Sequence, residues 1–296
     1  MPETPELLAI GSVALDEREG PFGKLKDELG GSAVYFALAA SLLVPVKVSA
    51  PMGHDAVDKI AKAFDGRPID TSLVHVLDEP TYRWKARQER GENVDLGSND
   101  RIYDRWKPHV PRDFAGWAFV GSMRPDRQVE AIRKLHGAKL IAADTMLSYL
   151  KGRTRESKDV LRRAAWYFCN EDEYAALGGR DPEEFRRQWW LDGLVIKKGD
   201  KGLTAHTSDG RIDVPTLPKH PAFDTTGAGD AVAGGMLARW LTTGAQRGGL
   251  KDALVCGVAC ASLTIEAVGV HGIARATPQI LDERMQEVWD CLRPVS

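Results

Sequence analysis

The sequence Asp224-Thr225-Thr226-Gly227-Ala228-Gly229-Asp230 decides how this chain is read. It follows an approach broken by Pro215, Pro218 and Pro221. After it, Val232, Met236 and Trp240, with Ala233, Leu237 and Leu241, repeat at a spacing of four. That period predicts a helix running from Gly229 to near Gly244, so the glycines stand at a helix N-terminus. Backbone N–H groups there have no intrahelical partner, and the aligned peptide dipoles leave partial positive charge. Gly227 and Gly229 have no Cβ and Ala228 adds only a methyl group, so the oxygens of a phosphate can approach the backbone. Asp230 would repel an anion unless it had a task. Taking the proton from a hydroxyl that attacks phosphorus is such a task, with the N–H groups holding the developing charge.

Two other readings compete. Gly-Ala-Gly before a helix is often a tight turn with a capping aspartate. A dinucleotide fingerprint would need its third glycine at position 232, where the chain has valine, and no early strand-turn-helix unit surrounds the motif. No Gly-x-x-x-x-Gly-Lys-Ser/Thr string occurs, so kinase chemistry would have to use this other phosphate site.

Bulk properties narrow the class. With 296 residues the chain can form one large α/β domain or two smaller ones, and we expect a single domain over 1–296. A net charge of -2 gives no sign of a nucleic-acid surface. No apolar run reaches the ~18 residues of a membrane span, and Met1-Pro2-Glu3-Thr4 is no secretion signal. A cytoplasmic protein without membrane contact is the expectation. Cys169, Cys256, Cys260 and Cys291 show no metal-type spacing and read as small buried thiols.

Elsewhere strand and helix signals alternate. Leu7–Ile10, Trp117–Val120, Leu140–Ala143, Trp166–Cys169 and Leu194–Lys197 are short apolar runs, with helical patterns over about 126–136, 255–265 and 278–289. Repeated β-then-α units predict a parallel sheet with helices on both faces. Asp144 and Asn170-Glu171-Asp172-Glu173 then lie at strand ends, where such sheets bind ligands. Asp16 falls in the loop after the first strand, either facing a ligand or solvated within Asp16-Glu17-Arg18-Glu19. Gly30-Gly31 leads into the helix Val34–Ala40, with Ser32 as a cap. From Thr81 the pattern alternates, Tyr82, Trp84 and Ala86 against Arg83, Lys85 and Arg87, and a polar segment from Gly91 returns toward Tyr103 and Trp106. This is a strand with one polar face.

Asp224 to Asp230 resembles the C-terminal signature of the ribokinase-like (PfkB) carbohydrate kinase family, and ordered matches at Gly30-Gly31, Asn170-x-x-Glu173 and Gly199-x-x-Gly202 extend the resemblance over nearly the whole chain. It implies a three-layer α/β/α fold with a mostly parallel central sheet. A small β lid would form from segments near 12–28 and 78–108. It implies ATP with Mg2+, and transfer of the γ-phosphoryl group to a hydroxymethyl group of a sugar or sugar-like alcohol. Asp230 would be the base, and the N–H groups of Gly227, Ala228 and Gly229 the anion hole. Asn170, Lys197, Gly199, Gly202, Thr225 and Cys260 would contact the nucleotide, and Glu173 would hold magnesium through water. Asp16, Gly30, Gly31, Tyr35 and Asp230 would face the acceptor. Tyr35 departs from the pattern, because many members carry a sugar-binding asparagine at that place. An aromatic ring there suits a nucleobase or the apolar face of a sugar, as it suits core packing. A nucleoside kinase on the same fold and a non-catalytic nucleotide- or sugar-binding regulator therefore remain alternatives. The resemblance also leaves open a monovalent cation and a homodimer joined through the lid at Tyr82 and Trp84.

Overall fold

A computed structural model describes residues 6–89 and 92–293; Met1–Thr4 and Gly91, named above, lie outside them. In chain order the strands are β1 (Leu7–Ile10), β2 (Ala14–Gly20), β3 (Gly23–Gly30), β4 (Val46–Ser49), β5 (Pro51–Gly53), β6 (Ile69–Asp70), β7 (His75–Leu77), β8 (Arg83–Glu89), β9 (Glu92–Asn99), β10 (Trp117–Val120), β11 (Leu140–Asp144), β12 (Trp166–Asn170), β13 (Gly193–Lys197), β14 (Leu203–Thr207) and β15 (Gly210–Val214).

Nine of them form the central sheet in the order β15-β14-β13-β12-β11-β10-β1-β4-β6. Within this sheet β13, β12, β11, β10, β1, β4 and β6 run parallel, whereas β13, β14 and β15 pair antiparallel at one edge, which gives the mostly parallel sheet expected. Apolar runs suit the inner strands because both faces are covered. In β1, Leu7 and Ala9 enter one core and Leu8 and Ile10 the other. The first core is roofed by the helices Ser32–Ala40, Ala228–Thr242 and Leu250–Thr264, and the second by Pro125–Lys134 and Thr154–Leu161. The helix expected from Val255 thus begins a turn earlier, at Leu250.

A second sheet, in the order β3-β2-β8-β9, stands over the strand ends. Its β2–β3 hairpin turns at Gly20↔Gly23, and β2 pairs with β8 in parallel. Asp16 therefore lies within a strand rather than a loop. It is 2% exposed, which removes the solvated-acid reading. A third, two-stranded sheet pairs β5 with β7. Cys169, Cys256 and Cys260 are buried, but Cys291 is exposed, against expectation. Among the described residues no helix is long and apolar enough to cross a membrane.

Candidate active site

The chain leaves β1 toward β4 on one side and later returns to β10 on the other, so the C-terminal ends of β1 and β10 flank a topological switch point. Gly11-Ser12 and Gly121-Ser122 follow those ends. The Ser12 N–H donates to Ser32 Oγ (3.1 Å) and the Ser32 N–H to Ser12 Oγ (2.9 Å). Both hydroxyls donate to the Ser122 carbonyl, at 3.1 and 2.8 Å. Ser32 is thus a strand-to-helix tie and not the cap expected of it; the cap position is Gly31, at φ 104. A Cβ on Gly31 would stand 2.4 Å from the Ser12 carbonyl, so both φ and space call for glycine there.

The motif opens the helix Ala228–Thr242, with Gly227 as N-cap in the left-handed region at φ 75. Trp240, one face further along this helix, packs edge-on against Trp117 (5.3 Å) and Trp166 (5.1 Å) and so pins it to the sheet. Gly234 lets it approach the helix Ser32–Ala40 closely, for a Cβ there would lie 2.5 Å from the Phe36 carbonyl. That approach brings Tyr35 onto the motif. Its ring lies where a Gly227 Cβ would come within 2.3 Å, it is 1% exposed, and its hydroxyl has no hydrogen-bond partner among the described residues. On the other side, a Cβ on Gly229 would stand 2.7 Å from Lys197 Nζ. An ammonium thus lies against a helix N-terminus, two positive features suited to one phosphate. The Ala228 N–H meanwhile reaches the Thr225 carbonyl at 3.4 Å.

Charge is concentrated here. Lys197 Nζ donates to Asp144 Oδ2 at 2.8 Å. Burial alone would lower the lysine's pKa, but Asp144, Glu173 and Asp230 hold it above its ordinary value. Burial raises Asp230 well above the ordinary carboxylate range, Asp144 and Glu173 push the same way, and Lys197 opposes. Burial likewise raises Glu173, against the pull of Lys197. Asp16 is pushed up to about 7, again chiefly by burial, with Arg18 opposing and Asp224 and Glu28 adding.

One cavity of about 200 Å³ gathers Asp16, Gly31, Tyr35, Lys197, Gly229 and Asp230, together with Thr225 and Gly227. A larger groove of about 450 Å³ between Glu6, Lys47, Arg67 and Asp70 shares no residue with the motif. Gly30 stands behind the cavity, where a Cβ would lie 2.4 Å from Asp16 Oδ2. Asn170 and Glu173 form a capping box at the end of β12: the Asn170 N–H donates to Glu173 Oε2 and the Glu173 N–H to Asn170 Oδ1, both at 2.8 Å. Gly199 and Gly202 make the β13–β14 turn, and Gly202 is held against the Val214 carbonyl. Cys260 lies elsewhere, fully buried in the core with its Sγ packed on Gly235, so the thiol offers a nucleotide no polar contact. Tyr82 and Trp84, expected at a dimer contact, also line the cavity.

Sequence reasoning passed over Arg18, Asn93 and Ser12 as members of the site, and placed Asp144 only at a ligand-binding strand end without a role. Arg18 donates to Asp224 and Thr226, and Asn93 Nδ2 to Thr226 Oγ1 at 3.2 Å. The only available signal for Arg18 was its spacing of two from Asp16, which puts both on one strand face.

The residues fit a nucleotide with magnesium. The helix N-terminus and Lys197 suit phosphate, and Glu173 supplies a carboxylate. Among the described residues no three His, Cys, Asp or Glu side chains are grouped to hold a metal by themselves. Magnesium bridging phosphates keeps several waters and needs only one or two protein carboxylates.

Comparison with known proteins agrees with the geometry. Residues 16–276 match the family described as pfkB family carbohydrate kinase. The chain is 27% identical over 247 residues to the cytidine kinase of Thermococcus kodakarensis, covering 79% of this chain and 87% of that one. It is 29% identical over 240 residues to the ATP-dependent ribose-1-phosphate kinase of Halopiger xanaduensis, covering 77% and 78%. The crystal structure of the Methanocaldococcus jannaschii nucleoside kinase, an archaeal member of the ribokinase family, superposes with a TM-score of 0.76 at 21% identity over 95% of this chain and 98% of that one, which establishes a ribokinase fold. From its motif, its fold and this match, the chain belongs to the pfkB family of carbohydrate kinases.

Proposed function

We propose that the chain transfers the γ-phosphoryl group of ATP to a hydroxymethyl group of a sugar or sugar-like alcohol. The observation that carries this reading is the meeting of Asp230, Lys197 and the helix N-terminus with Asp16, Gly31 and Tyr35 around one cavity. The acceptor oxygen attacks the γ-phosphorus, its proton passes to Asp230, and the bond to the β–γ bridging oxygen breaks to release ADP. The raised pKa of Asp230 suits a base that must hold a proton transiently. The N–H groups of Gly227, Ala228 and Gly229, with Lys197, hold the charge that spreads over the phosphoryl oxygens. Bound magnesium would neutralise phosphate charge near Glu173 through water. Asp16, Gly31 and Tyr35 orient the acceptor, and the β3-β2-β8-β9 sheet serves as a lid that excludes competing water.

A nucleoside acceptor is the second reading, supported by Tyr35, Tyr82 and Trp84 along the cavity, which offer aromatic faces to a base. The similarity to cytidine and nucleoside kinases supports it as well. The exposed Val94 and Leu96 on the edge strand β9 support a contact between two lids in a homodimer, which sedimentation would test.

The test is ADP release with Mg-ATP across pentoses, hexoses, cyclitols, nucleosides and ribose 1-phosphate. A signal with sugars alone supports the first reading, and one confined to nucleosides the second. ATP binding without ADP release from any acceptor would contradict both and favour a regulator without turnover.

A further inference from the structure

Two loops meet beside the anion site. The Phe223 and Asp224 N–H groups both donate to the Ile265 carbonyl, at 2.8 and 3.2 Å. The Asp224 carboxylate accepts the Gly269 N–H at 2.7 Å and the Thr226 N–H at 3.1 Å. Asp224 has no exposed surface, and a carboxylate so enclosed needs a positive partner. Neither loop supplies one. The partner arrives from the lid: Arg18 on β2 donates through Nη1 to Asp224 Oδ1 and, at 2.6 Å, to Thr226 Oγ1.

The Arg18 and Asp224 side chains are 1% and 0% exposed, so this ion pair is cut off from solvent screening. Arg18 also lies over the Phe22 ring (5.4 Å), and Phe22 touches Phe223 beside Asp224 (6.0 Å). Its Nε and Nη2 are buried without hydrogen-bond partners among the described residues. A guanidinium that leaves two donor groups unused acts here more by its charge than by its fork of hydrogen bonds.

We propose that Arg18 is a tethered cation. It delivers from the lid the positive charge that holds Asp224, and through Asp224 the segment Thr226-Gly227 at the anion site. Seating the lid and shaping the anion site are thus one event, and turnover requires no free monovalent cation. Arg18 is a positioning residue on this account, and its effect on turnover rests on the kinase reading.

The experiment compares the full-length protein, Arg18→Ala and Arg18→Lys in potassium, sodium and choline chloride at equal ionic strength, with low-millimolar guanidinium chloride as a further addition. Turnover and the thermal unfolding midpoint are both read. The wild-type protein should turn over equally in all three salts. Arg18→Ala should lose about 10²-fold in kcat in choline through misplacement of the site, and potassium or guanidinium should restore roughly tenfold of it by refilling the vacated charge position. Arg18→Lys should keep much of the rate in choline.

The midpoint provides an arm free of the functional reading. Potassium or guanidinium should raise the midpoint of Arg18→Ala relative to choline and leave the wild-type midpoint unmoved. That arm decides the matter even if no acceptor is turned over, which would count against the proposed function alone. A wild-type requirement for potassium or sodium would overturn the proposal. So would full activity of Arg18→Ala in choline, or a defect that no cation relieves. Should Arg18→Ala fail to fold, Arg18→Met/Asp224→Asn removes both charges of the buried pair and should fold with no response to cations; its failure to fold would also overturn the proposal.

Discussion

The ring of Tyr35 closes over Gly227 so tightly that a Cβ on Gly227 would stand 2.3 Å from three ring carbons. Gly227 also holds φ 75, where residues with a side chain are strained. Backbone and space therefore both demand glycine at the N-cap of the motif helix. Gly227→Ala should destabilise the fold by about 2–4 kcal/mol, the sum of left-handed strain and overpacking. It should also cost turnover at least about 10²-fold by displacing the anion site. Denaturant unfolding and steady-state kinetics on the one variant measure both.

Asp230 should make stability depend on pH. Its carboxyl is raised in the fold from an ordinary 3.8 to about 8, so between those values the folded state binds more protons than the unfolded chain. Stability then falls as pH rises through that window. Asp230→Asn removes the titrating group, so its stability advantage over wild type should grow from pH ~4 to pH ~8 and level off above it. Thermal midpoints across that range check the trend, and a constant difference would contradict it.

Lys197 balances three carboxylates, Asp144, Glu173 and Asp230. Lys197→Met leaves Asp144 buried without its 2.8 Å partner, and breaking a buried pair in this way costs about 3–5 kcal/mol. ATP affinity should fall with it, since the ammonium lies against Gly229. Unfolding curves and ATP titration report the two losses separately.

Much of the central layer was legible because its strands and the motif helix carry clean periods: Leu7–Ile10 is apolar without interruption, and Val232, Met236 and Trp240 repeat at helical spacing. The lid hairpin was not. Only the family resemblance implied a lid over 12–28; the residues themselves leave Asp16 either facing a ligand or solvated within Asp16-Glu17-Arg18-Glu19, since nothing local shows that Asp16 and Arg18 turn inward under a sheet whose other strands, β8 and β9, lie far along the chain. Tyr35 was named, but its contact with Gly227 depends on two helices meeting at Gly234, a tertiary fact without a local pattern. Asn170 was named for the nucleotide and Glu173 for magnesium, and Glu173 also closes a capping box with Asn170, a structural role compatible with holding magnesium.

Glu173 allows those two roles to be separated. Glu173→Gln keeps a carbonyl for the Asn170 N–H, as capping boxes allow, so stability should change by less than about 1 kcal/mol. Loss of the charge should raise the magnesium concentration for half-maximal rate by roughly 10-fold or more. Magnesium titration of the rate, beside a thermal melt, tests this.

The central claim is that Asp230 takes the acceptor's proton. The most direct measurement is kcat of Asp230→Ala with the best acceptor, alongside its ATP affinity and far-UV spectrum. The expected result is a fall of roughly 10²–10⁴-fold in kcat with fold and ATP binding kept; retention of full turnover would contradict the account.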